Sequence, residues 1–593
     1  MAFLDIDPDH REFTLKALNN IMLALGVGVI VSLLLEYGFF LTDKTRVWLH
    51  RYDYTVLAFF ILHDFLKLGI VKNKQTFLRY NWLNFTFFTV LAFIFLVYNP
   101  WWQLPVFSEH IRNIPTRQIA KVFILLTQVY ILFSTFFSAL KFGQKFAFWR
   151  FHPIGILMGS FFVIILIGTG LLLLPKATVT HGISFVDALF TSTSATCVTG
   201  LIVVDTGTYF TRMGQWIILF LIQAGGLGIM TMAAFITVIL GSRMSVRQRL
   251  IMRDFLADEN MAKIGQTLWQ VLGLTILIET VGVVTLYKLF PQGTFATGDR
   301  LFNSVFHAIS AFCNAGFSTF STSLMQFSDH LMLVSTFGGL IILGGIGFPV
   351  LVNLLGHRFF NTTGPLGKKN IRVSSQTHVV LWVSAILILA GSLWIWITNY
   401  GLQGNWTPGI QVIVDSLFQS ITTRTAGFNT IDIGAMALPA LLALMVLMFI
   451  GASPGSTGGG IKTTTFFLSL QALWAHLTSK QVVEYRHRTI PRRLMEQSLL
   501  LILSAQLVIL ISFTLLVIFE NQPPMTLLFE SISAFGTVGL SMGATPELST
   551  VGRYVIIATM YLGRVGPLAF VIALDRPEQK RLYEYPEESV MIG

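Results

Sequence analysis

The sequence predicts an all-α polytopic membrane protein with four M1-P-M2 pseudo-repeats (a long helix, a short half-apolar helix, a long helix) around one pore. About four additional transmembrane helices precede them. Three observations carry this. Of the 593 residues, 54% are hydrophobic and 12% charged, with a mean hydropathy of +0.69; a soluble domain carries about 25% charged residues, so lipid must be the solvent for much of this surface. Many apolar stretches reach the roughly 20 residues that a helix needs to cross about 30 Å of hydrocarbon. Finally, one turn motif recurs four times at nearly constant spacing.

The leading apolar segments lie near residues 17–40, 53–71, 82–99 and 119–140. Eight more lie near 152–175, 214–241, 264–288, 330–356, 377–399, 436–478 (long and interrupted), 495–519 and 552–574. The first stretch lacks a short apolar core followed by a small-residue cleavage site, so it reads as a retained helix. Between the members of each later pair lies a shorter stretch ending in a small-residue turn. It is too short to span, and irregular backbone at membrane depth is tolerated only inside protein or beside water. The domain boundaries that follow are 1–150 for the N-terminal four-helix region, then 151–260, 261–374, 375–493 and 494–593 for the four repeats.

Charge placement orients the chain. Arg243, Arg247, Arg249, Arg253 and Lys263 share one connection; Arg358, Lys368, Lys369 and Arg372 share the next; Lys480, Arg486, Arg488, Arg492 and Arg493 share the third; Arg576, Lys580 and Arg581 lie in the tail. The positive-inside rule makes these faces cytoplasmic, so both termini are expected inside and the short stretches enter from outside. Lys44, Arg46 and Arg51 fall on the outer side against this trend. The net charge of +11 is then a property of cytoplasmic loops, and no nucleic-acid partner is expected. Arg112, Arg117 and Lys121 are too sparse for a voltage sensor; the N-terminal region reads as a stabilising or partner-binding bundle, with a degenerate sensor-like bundle, suggested by Tyr52 to Lys67 with Asp64, as the alternative. Cys197 and Cys313 match no metal or redox spacing and read as small packing residues.

The repeated turns are Val198-Thr199-Gly200-Leu201, Asn314-Ala315-Gly316-Phe317, Thr425-Ala426-Gly427-Phe428 and Thr537-Val538-Gly539-Leu540, with glycines 116, 111 and 112 residues apart. Phe190, Phe306 and Phe529 lie ten residues before their glycines and Phe418 nine before; Asp187, Asn303, Asp415 and Thr526 lie three before each phenylalanine. A second register follows. Gly225-Gly226-Leu227-Gly228, Gly344-Gly345-Ile346-Gly347 and Gly563-Arg564-Val565-Gly566 begin 25, 28 and 24 residues after the turn glycines, and Gly451 stands 24 after the third. Lone packing glycines would not recur in register. A dehydrated monovalent cation needs a ring of oxygens, which backbone carbonyls supply. Glycine permits the backbone angles and close approach that aim carbonyls at an ion. A short helix with polar residues at its N-terminus turns the negative end of its dipole to the centre, which suits a cation. By contrast, Gly225, Gly226, Gly228, Gly344, Gly345 and Gly347 read as sites where membrane helices pack closely.

On these turns, together with Gly451-Ala452-Ser453-Pro454-Gly455-Ser456-Thr457-Gly458-Gly459-Gly460-Ile461-Lys462, Gly563-Arg564 and the tail Tyr585-Pro586-Glu587-Glu588, the sequence resembles the Trk/Ktr/HKT superfamily of potassium transporters. It looks most like the membrane subunit of bacterial Ktr and Trk systems, over roughly residues 150–593. The resemblance implies potassium uptake across the cytoplasmic (inner) membrane. The cation would bind at the carbonyls of Val198, Thr199, Gly200, Asn314, Ala315, Gly316, Thr425, Ala426, Gly427, Thr537, Val538 and Gly539. It also implies that the loop holding Gly451, Ser453, Pro454, Gly455, Ser456, Thr457, Gly458, Gly459, Gly460 and Lys462 obstructs the pathway below these turns as a gate. Further implications are a homodimer and a cytosolic nucleotide-binding ring as regulator.

Residue chemistry bears on both. Pro454 and the glycines around it would unwind a helix at mid-membrane, which is expensive unless the backbone borders water; a static break is the plainer alternative. Arg564 lies inside an apolar helix, where a charge faces protein or a cavity. Arg424, beside the third turn, reads as a residue fixing that loop by hydrogen bonds. No Gly-rich phosphate site is visible, so nucleotide control would come from a partner. With no catalytic constellation of titratable groups, an enzyme is not expected. K⁺ is the expected substrate, with Na⁺ or H⁺ left open as a coupling or activating ion. The competing readings are a sodium-permeable member of the same superfamily and an alternating-access symporter. The latter needs inverted repeats, whereas the four units here share one orientation.

Overall fold

The computed structural model describes residues 8–70, 74–75, 86, 153–240, 264–291, 297–359, 373–401, 409–479, 483–486 and 488–566. The expected segments at 82–99 and 119–140, the basic connection 241–263, most of 357–372, and the tail with Tyr585–Glu588 lie outside the described residues. The chain divides into two compact units: residues 1–150 with 174–177, and residues 151–173 with 178–593.

In the first unit, α1 (Pro8–Gly38) and α2 (Asp43–Ile70) form a helical hairpin. They pack through buried Val29 and Val56, and the Tyr52 hydroxyl donates to the Leu25 carbonyl at 3.4 Å.

The second unit repeats one pattern. Its helices are α3 (Pro153–Leu172), α4 (Phe185–Cys197) and α5 (Arg212–Leu240); α6 (Ile264–Leu289), α7 (Thr297–Phe312), α8 (Leu331–Ile346) and α9 (Phe348–Phe359). Then come α10 (Ser375–Asn399), α11 (Ile410–Thr422), α12 (Leu438–Phe449) and α13 (Thr463–Leu477), and finally α14 (Arg492–Phe519), α15 (Pro524–Gly536) and α16 (Thr550–Val565). The first helix of each set, at 20–28 residues, can cross a bilayer. The short second helices, at 13–16 residues, span only about 20–24 Å at ~1.5 Å per residue and stop inside. Their starts are legible chemistry. Ser184 accepts from the Asp187 amide at 3.1 Å as an N-cap, and Pro524 opens α15 where no amide partner is needed.

The third helix is broken in the first three sets, and in the fourth it ends at a glycine. In α5 the backbone leaves helical angles at Gly228 (φ 74°), Gly347 (φ 99°) separates α8 from α9 with a 97° bend, and α16 ends at Gly566 (φ 93°). In the third set the break is the whole segment between α12 and α13, so the interruption expected at Pro454 is present. The apolar segments expected near 214–241 and 330–356 are helical, kinked in one case and bent in the other. The reason is local: these glycines adopt a positive φ that side chains avoid. A small antiparallel hairpin, β1 (Val483–Tyr485) with β2 (Arg488–Ile490), pairs Val483 with Ile490 in the basic connection before α14.

The recurring phenylalanines Phe190, Phe306, Phe418 and Phe529 are all buried and anchor the short helices in the core. The apolar surface that remains faces outward along the long helices, as at Trp269, Leu389 and Leu510, where lipid would cover it.

Candidate functional site

The four turns share one backbone conformation. Val198, Asn314, Thr425 and Thr537 are left-handed, with φ of 58°, 58°, 73° and 50°. Two residues on, Gly200, Gly316, Gly427 and Gly539 have φ of 93°, 70°, 78° and 91°. The left-handed region costs a non-glycine residue about 1–2 kcal/mol, and three of the four first positions are β-branched. Such strain persists only where surroundings over-determine it, which is typical of functional sites.

The surroundings are identifiable. The Thr199 amide donates to the Ser194 carbonyl at 2.8 Å and the Gly200 amide to Ser194 Oγ at 3.1 Å. In the fourth repeat Val538 and Gly539 do the same to Ser533, at 2.9 and 3.1 Å. In the second, the Ala315 amide donates to the Ser310 carbonyl at 2.8 Å while Ser310 Oγ donates to the Phe317 carbonyl at 2.7 Å. In the third, Thr422 takes the serine's place, its carbonyl accepting from the Ala426 amide at 2.9 Å. The sequence reading missed these serines. Their signal is a hydroxyl four residues after each recurring phenylalanine; the residue by which Phe418 sits nearer its glycine is missing between Thr422 and Gly427.

The turns close on one another. A Cβ on Gly200 would stand 3.0 Å from Gly316 Cα, one on Gly316 3.0 Å from Gly427 Cα, one on Gly427 3.2 Å from Gly539 Cα, and one on Gly539 3.0 Å from Gly200 Cα. At each contact the carbonyl before the next glycine (Ala315, Ala426, Val538 or Thr199) is also met. The result is a ring of four glycines with four carbonyls between them, from which any side chain is excluded. On one side of the ring a cavity of about 470 Å³ is lined by Gly200, Ile202, Asp432, Gly539, Ser541 and Met542.

On the other side lies the segment 450–462. Ile450 and Ile461 form an isolated bridge across its neck. Gly459 donates its amide to Thr537 Oγ1 at 3.0 Å, and a Cβ on Gly458 would overlap Thr425 Oγ1. The loop therefore presses on the undersides of the third and fourth turns. It is also bound to the second repeat: Ser453 and Thr457 amides donate to the Gly345 and Gly344 carbonyls at 3.0 and 3.3 Å, and the Phe348 amide donates to the Gly455 carbonyl at 2.9 Å. Lys462 Nζ donates to the Gly458 carbonyl at 2.7 Å, and Thr463 Oγ1 to Ser453 Oγ at 3.0 Å. Arg564, buried, donates from one guanidinium nitrogen to the Thr457 carbonyl and from another to the Gly225 carbonyl of the first repeat. The second and fourth repeats thus hold the third repeat's loop directly, and the first is tied to it through Arg564.

Other expected residues fall into place or do not. A Cβ on Gly225, Gly344 or Gly563 would overlap the carbonyl of Thr196, Phe312 or Phe535, so the first glycine of each later motif does pack against a short helix. Gly228 and Gly347 instead break their helices, so for these two the packing reading is incomplete. Cys197 and Cys313 are free and buried. Arg424 is buried, and its Nε has no hydrogen-bond partner among the described residues. Asp187 pairs with Arg553, and Asp299 with Arg212, at the outer ends of the short helices. Gln411 likewise bonds Asp329 at 2.6 Å. Each of these contacts ties one repeat to the next.

A closed ring of backbone oxygens, four convergent short-helix C-termini and an irregular loop beneath define a membrane protein of the cation-transport class. A family model described as cation transport protein, TrkH, matches residues 126–585, and the chain belongs to that family. It is 41% identical over 451 residues to the Ktr system potassium uptake protein B of Bacillus subtilis, covering 75% of this chain and 97% of that one. It is 35% identical over 461 residues to the potassium/sodium uptake protein NtpJ of Enterococcus hirae, covering 75% of this chain and 98% of that one. The crystal structure of the potassium transporter TrkH from Vibrio parahaemolyticus has a similar fold, with a TM-score of 0.54 at 19% identity over 76% of this chain and 91% of that one.

Proposed function

We propose that this chain takes up potassium across the cytoplasmic membrane, with both termini on the cytoplasmic side. The ring of Val198–Gly200, Asn314–Gly316, Thr425–Gly427 and Thr537–Gly539 serves as its selectivity filter. The observation that carries the reading is the closure of the four glycines on one another, 3.0–3.2 Å from would-be Cβ to neighbouring Cα, which leaves only carbonyl oxygens to replace a cation's water. The loop 451–460, with Lys462 and Arg564, acts as gate: it lies against the filter's underside, and its positive groups raise the barrier to a cation. The family membership supports this, as does the naming of relatives as potassium uptake proteins. Neither the chemistry of the site nor those relatives suggests an enzyme.

The basic cytoplasmic connections suit an acidic protein face or anionic lipid. The name of the Bacillus relative, a component of a system, favours further subunits; a cytosolic nucleotide-binding ring and a second copy of this chain are the partners proposed. Na⁺ is proposed as a coupling or activating ion at most. A sodium-permeable reading has one observation behind it, the potassium/sodium name of the Enterococcus relative. The deciding experiment is purified protein in liposomes with K⁺ and Na⁺ flux measured separately under an imposed potential. K⁺ flux well above Na⁺ flux is expected; equal permeability overturns the proposal.

A further inference from the structure

Glu279 lies near the middle of α6, inside the membrane-spanning part of the second repeat, and is 8% exposed. A carboxyl at that depth is expensive, faces protein rather than lipid, and is retained where it has a task. Neither the ring nor the loop uses it. Its Oε2 accepts from Gln223 Nε2 of α5 at 3.3 Å. The Cys313 thiol, immediately before the second turn, lies 3.6 Å from Gln223 Oε1 and 4.0 Å from Glu279 Oε1. The knot therefore joins the inner helix of the first repeat, the outer helix of the second and the base of the second turn.

The same stretch of α5 fits tightly. A Cβ on Gly226 would stand 2.7 Å from Cys313 Cβ, so α5 and the turn cannot move apart or together without rearranging the knot. Between Gln223 and Gly226, the Gly225 carbonyl takes one of the two hydrogen bonds of Arg564. The next residue along, Asn314, is the left-handed first position of the second turn. Among the described residues that turn is held by backbone bonds, by Ser310 and by the Asn314 side-chain amide, which lies 3.4 Å from Thr425 Oγ1, and a displacement of Cys313 is carried along the chain into Ala315 and Gly316.

We propose that Glu279 is a positioning residue for cation discrimination: through Gln223 and Cys313, its carboxyl fixes how far the second turn stands from the centre of the ring. This rests on the reading of the ring as the selectivity filter. It predicts that discrimination and rate separate, because the knot braces the filter whereas Arg564 staples the loop.

The test is K⁺ and Na⁺ flux measured separately in liposomes. Glu279→Gln should lower the K⁺/Na⁺ flux ratio several-fold, with the protein still monodisperse and its melting temperature little changed. Gln223→Glu combined with Glu279→Gln, which rebuilds the carboxyl–amide pair in reverse, should restore the ratio. Cys313→Val, which removes the thiol and leaves the carboxyl, should lower the ratio as well and carries the test if Glu279→Gln fails to assemble. Arg564→Ala should change the rate of K⁺ flux and leave the ratio near that of the parent. The proposal is overturned if Glu279→Gln and Cys313→Val both keep the parental ratio, or if the reversed pair is no better than the single variant. Gly200→Ser separates the two levels: if it lowers the ratio while Glu279→Gln does not, the filter stands and the brace falls, and if neither moves it, both fall.

Discussion

At the ring, four residues that favour other conformations are held left-handed so that the glycine two positions later meets its neighbour. Gly200 shows what the arrangement demands. Its φ of 93° and the Gly316 Cα only 3.0 Å from a would-be Cβ leave no place for a side chain. Gly200→Ser is expected to strain the backbone by about 1–2 kcal/mol, push the first turn off the Ala315 carbonyl and reduce the K⁺ preference. Separate K⁺ and Na⁺ fluxes would reveal it, and an unchanged ratio would remove Gly200 from the filter. The bracing hydroxyls invite a second test. Ser194→Ala and Ser533→Ala each remove one hydrogen bond to a turn glycine amide. Each should cost about 0.5–1.5 kcal/mol, visible as a lower melting temperature together with a weaker K⁺ preference. The glycines were legible because only glycine fits and the fit recurs four times. The serines were not, because serine is common in membrane helices and its role depends on a turn that sequence does not display.

Among the elements, the inner helices are the informative ones. Sequence marks Gly225-Gly226-Leu227-Gly228 and its counterparts as small residues in register, but a glycine that lets helices touch and a glycine that breaks a helix look alike in one dimension. The first glycine of each motif packs against a short-helix carbonyl and the last takes a positive φ. The third repeat was more readable, since Pro454 removes a backbone donor outright. What sequence could not give is the loop's list of partners, because Gly344, Gly345 and Arg564 lie about a hundred residues from the loop in either direction. Those partners set a prediction. Arg564→Ala deletes two charge-assisted bonds, to Thr457 and Gly225. Bonds of this kind contribute about 1.5–3 kcal/mol each. Losing even the smaller value shifts a closed-to-open ratio about tenfold. K⁺ flux should therefore rise, as it should on deleting Ser456–Gly460, with discrimination against Na⁺ largely kept. If folded variants of both kinds conduct no faster than the parent, the loop is a static break and Arg564 only secures it.

The whole chain poses the question of what its N-terminal region contributes. The family match begins at residue 126, and the compact unit that contains α1 and α2 is separate from the one that contains every residue of the ring and the loop. The ring closes from the first repeat to the fourth entirely within residues 199–539. Among the described residues, the loop's hydrogen bonds end on residues between Phe312 and Arg564. Among the described residues, no hydrogen bond of that network ends on α1 or α2. A protein lacking residues 1–125 should therefore keep its K⁺ preference, and its flux per folded molecule should stay within a factor of about two, equivalent to ~0.4 kcal/mol. The region has another use open to it: a bundle that stabilises the chain in the bilayer or receives a partner would show in yield, melting temperature or nucleotide sensitivity instead of in selectivity. Matched liposomes of full-length and truncated protein, with K⁺ and Na⁺ flux measured with and without added nucleotide, decide between these roles. A truncated protein that folds but loses its K⁺ preference would place the N-terminal helices inside the conduction machinery.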